Sequence, residues 1–351
     1  MDYRVCKNID DIPLTDESWD ELVANANIGG VFLQKFWIRT WWRYFGSSYE
    51  LYFVVAEDSG RVVGFAPLMI DETRTLRFIG DMNSDYLGFV VPPGQHELVD
   101  GFLAFLFDSR RDWDVAHLRN IPRESPNRRE FMRKCQKQGL FPWNNYSVSA
   151  PYLQISQNRE AISKLFSKYS FRRSEKQLAG IGEVRFEVFS SSEQAEPFWE
   201  IFANQHIERC NKAGRESPFS DPVYLPYLKA LFRAGQVKDR VHFSALFIKE
   251  HPVAFHFGFI SQNRLLWYKP SFDAAIPQGS PGVALIYRLV RHAEENGIAE
   301  LDFTIGEESF KDRFCSQKRI VDTYRLHRSR WLYLTDIGYW RVRQRLKRFL
   351  K

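Results

Sequence analysis

The residues best placed for chemistry form one run, Gly279-Ser-Pro-Gly-Val283, which opens an amphipathic helix after an apolar strand. Backbone N–H groups at a helix start lack intrahelical acceptors and can hold an anion. Glycine lets a phosphate come close, and Pro281 pre-sets a helical φ while adding no donor of its own. No Gly-Lys-Ser/Thr follows, and no G-x-G-x-x-G is present, so neither a P-loop nor a dinucleotide fingerprint applies. A plain loop joining strand to helix would read similarly, and that alternative stays open. Upstream, residues 161–180 read as a basic helix carrying Lys164, Lys168, Arg172, Arg173 and Lys176. It is either a solvated face or a cationic wall beside an anionic substrate. Between the two lie a helix ending in Gln205-His-Ile-Glu-Arg209 and a long polar loop, Asn211–Ser220, of the kind that meets substrates.

A sizeable scaffold must hold these residues. The chain has 351 residues, 44% hydrophobic and 26% charged, enough for two domains or one large one in the soluble globular class. Aromatic residues make up 16%, which points to broad aromatic packing and away from disorder. A net charge of +6 favours an anionic ligand or surface: nucleic acid, a phosphorylated cofactor and an acidic membrane face all fit. Cys6, Cys135, Cys210 and Cys315 are far apart, with no C-x-x-C pair, as in a reduced cytoplasmic chain. No His cluster has metal-ligand spacing, so no metal is expected. The charged first residues lack an apolar signal core, and no apolar run reaches the length of a membrane span.

Element signals suggest an α/β fold with mixed sheets. A helix from about Thr15 ends at Gly29-Gly30. A second, Gln34–Phe45, sets Phe36, Trp37, Trp41, Tyr44 and Phe45 on one face. Strands are expected over Glu50–Ala56, Arg61–Ile70, Thr75–Phe78, Tyr86–Val91 and Val115–Arg119, with a helix near Glu97–Phe107. The hairpin Val241–Ile260 repeats the theme of the first, Val253-Ala-Phe255 standing where Val63-Gly-Phe65 stood. Two similar modules are therefore expected, 1–155 and 156–338, joined near Ser156–Asn158 and followed by a basic tail, 339–351.

Several of these residues carry a resemblance to a known family. His206-x-x-Arg209, Gly214 with Phe219, Ser271-Phe-Asp273, Ser280-Pro-Gly282, Leu301-Asp-Phe303 with Gly306, and Phe310-Lys-x-x-Phe314 resemble the GNAT-type acyltransferases of the CelD-like family. That family, of cellulose and exopolysaccharide biosynthesis acetyltransferases, is related to the Fem peptidyltransferases. Trp37-x-x-x-Trp41-Trp42, Phe65-Ala-Pro-Leu68 and Gly80-x-x-x-Ser84-Asp85-Tyr86 extend the likeness over nearly the whole chain.

The resemblance implies tandem GNAT-like (acyl-CoA N-acyltransferase) modules, the second holding the donor. Acetyl-CoA or another acyl-CoA would pair with a splayed strand near Leu265–Pro270. Its pyrophosphate would rest on Gly279, Ser280, Pro281, Gly282 and Val283. An amine or hydroxyl would then attack the thioester, which requires orientation, oxyanion stabilisation and a proton acceptor. His206, Asp273 and Asp302 are the candidate bases, and His206 alone has an ordinary pKa near neutrality. The bland readings are a half-buried helix histidine and a turn-forming Asp302. Arg209 can hold an anionic acceptor group or pair with Glu208 or Glu216, and Arg172 and Asp273 are further substrate contacts. Lys311 stands where GNAT enzymes protonate the departing thiolate, although a lysine lying over Phe310 and Phe314 would look the same.

The implied acceptor is a small or lipid-linked saccharide of polysaccharide or cell-envelope assembly. An aminoacyl-tRNA donor, as in Fem proteins, is the rival, although no long helical arm interrupts Ile155–Phe243. A GNAT scaffold without activity, binding a partner or membrane, is a third reading. The tail Tyr339–Lys351 mixes Arg/Lys with Trp340, Leu346, Phe349 and Leu350, as does an interfacial helix on an anionic membrane or a helix docked by one edge.

Overall fold

A computed structural model describes residues 1–26, 30–109, 111–125, 132, 134–137, 139–156, 159–276, 279–315 and 317–349. Gly29 of the expected first break, Gln157 and Asn158 of the expected joint, Gln278 before the helix-opening run, and the last two residues of the tail lie outside these. The strands in chain order are β1 (Asp2–Cys6), β2 (Tyr49–Leu51), β3 (Phe53–Asp58), β4 (Arg61–Ala66), β5 (Leu68–Asp71), β6 (Thr75–Phe78) and β7 (Val115–Pro122). Then come β8 (Phe141–Gln154), β9 (Val184–Val188), β10 (Val241–Ile248), β11 (His251–Ser261), β12 (Arg264–Phe272), β13 (Glu300–Asp302) and β14 (Gln317–His327).

Two compact units result, 1–148 with 320–351, and 149–319. These differ from the expected modules 1–155 and 156–338. The reason is strand pairing: β14 lies antiparallel to β7, which returns the end of the chain to the first unit. Strand β8 runs through the boundary.

The first unit holds a small antiparallel sheet, β1-β3-β4, and a strand run β2-β5-β6-β7-β14 in which only β6/β7 is parallel. The helix Lys35–Phe45 buries Trp37, Ile38 and Trp41, a narrower face than its aromatic content suggested. Trp19, on the helix Asp16–Asn25, packs against Phe53 and Phe65 with ring centroids 5.3 and 4.9 Å away. The stretch Glu50–Ala56 breaks at Tyr52, and Arg61–Ile70 breaks at Pro67, whose missing N–H cannot serve a ladder. Residues 86–91 form no strand; Val90 makes a lone bridge to Phe65.

In the second unit the order is β8-β13-β12-β11-β10-β9, with β12/β13 the parallel pair. Parallel neighbours need a crossover, and the helix Pro281–Glu295 supplies it. Its buried Ala284, Leu285, Leu289, Val290 and Ala293 join Leu246, Leu265 and Trp267 in one core. Each fully buried leucine there contributes about 1.5–3 kcal/mol. A separate aromatic cluster forms under the helix Trp199–Lys212, where Trp199 stacks on Phe243 at 4.4 Å and Phe202 meets Phe255 at 5.8 Å. The expected helix over 161–180 is two, Arg159–Ser167 and Tyr169–Ile181, because Lys168 takes an extended ψ of 135° between them.

Candidate active site

The parallel pair β12/β13 lasts only from Arg264/Glu300 to Leu266/Asp302. Beyond it, among the described residues, no strand pairs with that edge of β12 from Trp267 to Phe272. The same place carries a bulge: the β11/β12 register shifts between Phe257/Lys269 and Phe259/Leu266. A bulge re-aims backbone groups and ends pairing, often beside functional sites. Gly258 sits opposite, where a Cβ would lie 2.1 Å from the Leu266 carbonyl oxygen, so a side chain cannot be accommodated.

Buried histidines hold this geometry. His256 Nε2 lies 3.2 Å from the Leu266 oxygen, and a carbonyl only accepts, so Nε2 carries the proton. His256 Nδ1, 3.1 Å from His242 Nδ1, then accepts from it. Burial lowers His256 to about 3, so the ring stays neutral, and it stacks on Trp267 at 5.0 Å. On the β13 side, Thr304 Oγ1 donates to the Trp267 oxygen at 3.1 Å, and Asp302 Oδ1 accepts from Thr304 N–H at 2.8 Å. Thr304 itself has a positive φ of 56°. Neither His256, Gly258 nor Thr304 carried a signal at the level of sequence pattern.

The edge of β12 leads into the Gly279 loop. Gly279 and Ser280 are both left-handed, with φ of 75° and 45°. Gly279 is packed in: its N–H goes to Gln177 Oε1 at 3.2 Å, its carbonyl accepts from Ser174, and a Cβ would meet Leu178 at 2.6 Å. The helix Tyr169–Ile181 therefore braces the loop, with Arg172 exposed on it. Val283 N–H closes on the Ser280 carbonyl at 2.9 Å, and Pro281 has none; of the run, Ser280 is exposed and Gly282 half-buried.

His206 and Arg209 come together one helical turn apart. Arg209 Nη2 lies 3.2 Å from His206 Nε2, and since guanidinium only donates, Nε2 is the acceptor. The proton is on Nδ1, which donates to Ser217 Oγ at 2.9 Å. Burial, helped by Arg209, Lys269 and Arg215, drives His206 down to about 3. A neutral imidazole with its lone pair already engaged orients Arg209 and does not suit a general base. Phe219 covers the ring at 4.9 Å, and Tyr224 stands edge-on to Phe219 at 5.2 Å. Arg209 Nε and the buried Tyr224 hydroxyl have no hydrogen-bond partner among the described residues.

Lys311 is buried, its Nζ donating to the Ile305 oxygen at 3.2 Å and pairing with Glu308 at 2.9 Å. Burial works to raise Glu308, but the Lys311 hydrogen bond and charge, with Arg215 nearby, hold it below its ordinary value. Asp302 is buried and faces Arg319 at 3.5 Å, while Glu300 takes the same guanidinium through two bonds of 2.7 and 2.6 Å. Asp302 is thus committed to the turn and to Arg319. Asp273 caps its own turn, accepting from Ala275 N–H at 2.8 Å. No group of three or more His, Cys, Asp or Glu among the described residues could hold a metal.

Residues 167–312 match the acetyltransferase (GNAT) domain family. Among curated proteins none matches the chain. Of solved structures, FemX superposes with a TM-score of 0.65 at 10% identity, over 93% of this chain and 97% of its own. A tandem GNAT protein from the clavulanic acid biosynthesis pathway gives 0.54 at 10%, over 93% and 99%. L-PGS from Bacillus licheniformis gives 0.52 at 14%, over 94% and 97%. The fold is a mixed α/β one of the tandem GNAT kind, and the second unit carries a GNAT acyltransferase domain.

Proposed function

We propose that the second unit moves an acyl group from acyl-coenzyme A to an amine or hydroxyl on an acidic acceptor, a sugar or related saccharide of polysaccharide or cell-envelope biosynthesis. The observation that carries the donor assignment is the splayed, bulged edge of β12 running into the Ser280–Gly282 helix start. A pantetheine arm fits along Trp267–Phe272 as an added strand, with the diphosphate at the helix start; Arg172 lies on the side of its helix away from Ser174, Gln177 and Leu178, which brace the loop. The acidic acceptor follows from Arg209, Arg215 and Lys269 gathered around His206 and from Arg209 Nε, unpartnered among the described residues. The saccharide class follows from the resemblance to the CelD-like family.

In the reaction the nucleophile's lone pair forms a bond to the thioester carbon, the C–S bond breaks, and the thiolate leaves. Backbone N–H groups at the bulge stabilise the oxyanion. His206, Asp302 and Glu308 are each held away from general-base duty, so the nucleophile's proton passes to the departing sulfur. Lys311 supplies positive charge for that step. An aminoacyl donor is the second reading, which rests on the resemblance to the Fem peptidyltransferases; the superposition on FemX supports the shared fold.

The test is thermal unfolding with acetyl-CoA, coenzyme A and tRNA, on wild type and on Ser280→Glu. Ser280 is exposed, so the variant folds, whereas a side chain at Gly282 would strike Phe272. At a hundredfold its Kd, a ligand stabilises the native state by about 2.7 kcal/mol. A shift with acetyl-CoA that Ser280→Glu abolishes supports the reading. No shift with either coenzyme overturns it, in favour of tRNA if salt-sensitive tRNA binding appears, or of a scaffold if nothing binds.

A further inference from the structure

The first unit ends in a helix, Arg330–Phe349, longer than the expected tail 339–351. One side packs down: Tyr333 meets Phe141 at 6.0 Å, Trp340 meets Trp143 at 5.4 Å, and Asp336 binds Arg325 and His327 at 2.6 and 2.8 Å. At 100° per residue, Trp331, Leu334, Thr335, Gly338 and Val342 then share the opposite side. All five are exposed, with Trp331 71%, Leu334 56% and Val342 57% accessible. From Trp331 to Val342 no charge interrupts this strip, whereas Arg330 and exposed Arg341 border one side and exposed Tyr339 the other. Ordinary amphipathic helices turn the apolar side inward and the charges outward. Here the outward side is apolar and edged by arginine and aromatics, and the sequence continues Arg343-Gln-Arg-Leu-Lys-Arg348.

We propose that this outer strip docks the protein on an anionic lipid surface. Trp331 and Tyr339 suit the headgroup boundary, Leu334 and Val342 enter the acyl region, and the arginines meet anionic headgroups. Charge decides among occupants: a second copy would bring the same arginines against these, while an anionic bilayer offers the complement and tolerates a strip only 100° wide. The inference does not depend on the acyl-transfer reading, since none of these residues belongs to the second unit.

The experiment is flotation of the full-length protein with phosphatidylglycerol/phosphatidylcholine vesicles and with pure phosphatidylcholine vesicles. Wild type is expected to float with the anionic vesicles, to release on raising salt, and to stay behind with neutral ones. The triple variant Trp331→Ser, Leu334→Ser, Val342→Ser is expected to bind at least about tenfold more weakly. Arg330→Gln with Arg341→Gln, which leaves the strip intact, should weaken binding to anionic vesicles by several-fold. Wild type failing to float, or the folded triple variant binding as wild type does, overturns the proposal. So does sedimentation showing a wild-type dimer that the triple variant converts to monomer, which would assign the strip to a second copy.

Discussion

At the scale of single residues, the site depends on groups whose importance is created by contact. Gly258 is one glycine in an apolar hairpin until its neighbour across the sheet is known; the bulge at Trp267–Tyr268 then places a carbonyl where any Cβ would be. Gly258→Ala should cost about 1–3 kcal/mol through overpacking and weaken acetyl-CoA binding, measured by urea unfolding and by titration. His206 shows the reverse case. Its side chain suggests a base near neutrality, but burial and three cations leave it at about 3. That has a consequence for pH. Native His206 and His256 stay neutral down to about 3, whereas their unfolded forms take up protons below the ordinary 6.5. The unfolded chain therefore binds more protons in that window. Stability is full above it and falls as pH drops, by at most about 1.4 kcal/mol per unit for each histidine. Urea midpoints at several pH values should show this slope, and His206→Gln should make it shallower. An unchanged slope would mean that His206 is protonated in the native state.

Elements tell what a linear reading can and cannot reach. The helix Pro281–Glu295 was legible because its apolar period and its Gly-Ser-Pro-Gly opening are local. The strand before it was also legible, extending slightly beyond Leu265–Pro270 at both ends. Its parallel partner, the early end of their pairing and the bulge were not, since each depends on registers set across the sheet. The final helix starts nine residues before the tail read from its charge at 339; packing of Tyr333 and Trp340 outweighs the roughly 1 kcal/mol that Gly338 costs in mid-helix. One arginine secures β13. Arg319 faces Glu300 and Asp302, both almost fully buried, and lies over the Tyr152 ring at 3.7 Å. Arg319→Met leaves two buried carboxylates short of a cation and should cost about 3–5 kcal/mol. Thermal unfolding would show it, and a variant as stable as wild type would mean that the carboxylates are satisfied elsewhere.

At the scale of the molecule, the first unit is discontinuous: residues 149–319 interrupt it, and its strand run is completed by β14. Val321, Tyr324 and Leu326 of that strand are buried, and Asp322 receives Arg123 at 2.7 Å and Ser147 at 2.7 Å. A chain ending at residue 338 should therefore keep its cooperative unfolding, while one ending at 319 should expose the β7 edge and self-associate. Far-UV dichroism and sedimentation distinguish the two, and a monomeric, native-like 1–319 chain would refute the dependence. No helix among the described residues is long and apolar enough to cross a membrane. The same interruption bears on how the protein is made. Synthesis delivers β7 well before β14, and at about 5–20 residues per second the wait is on the order of ten to forty seconds. Until that interval ends the first unit, begun earlier, presents a bare strand edge, and residue 319, the last of the second unit, is made before β14 is complete. The half of the molecule that starts first is thus the half that folds last.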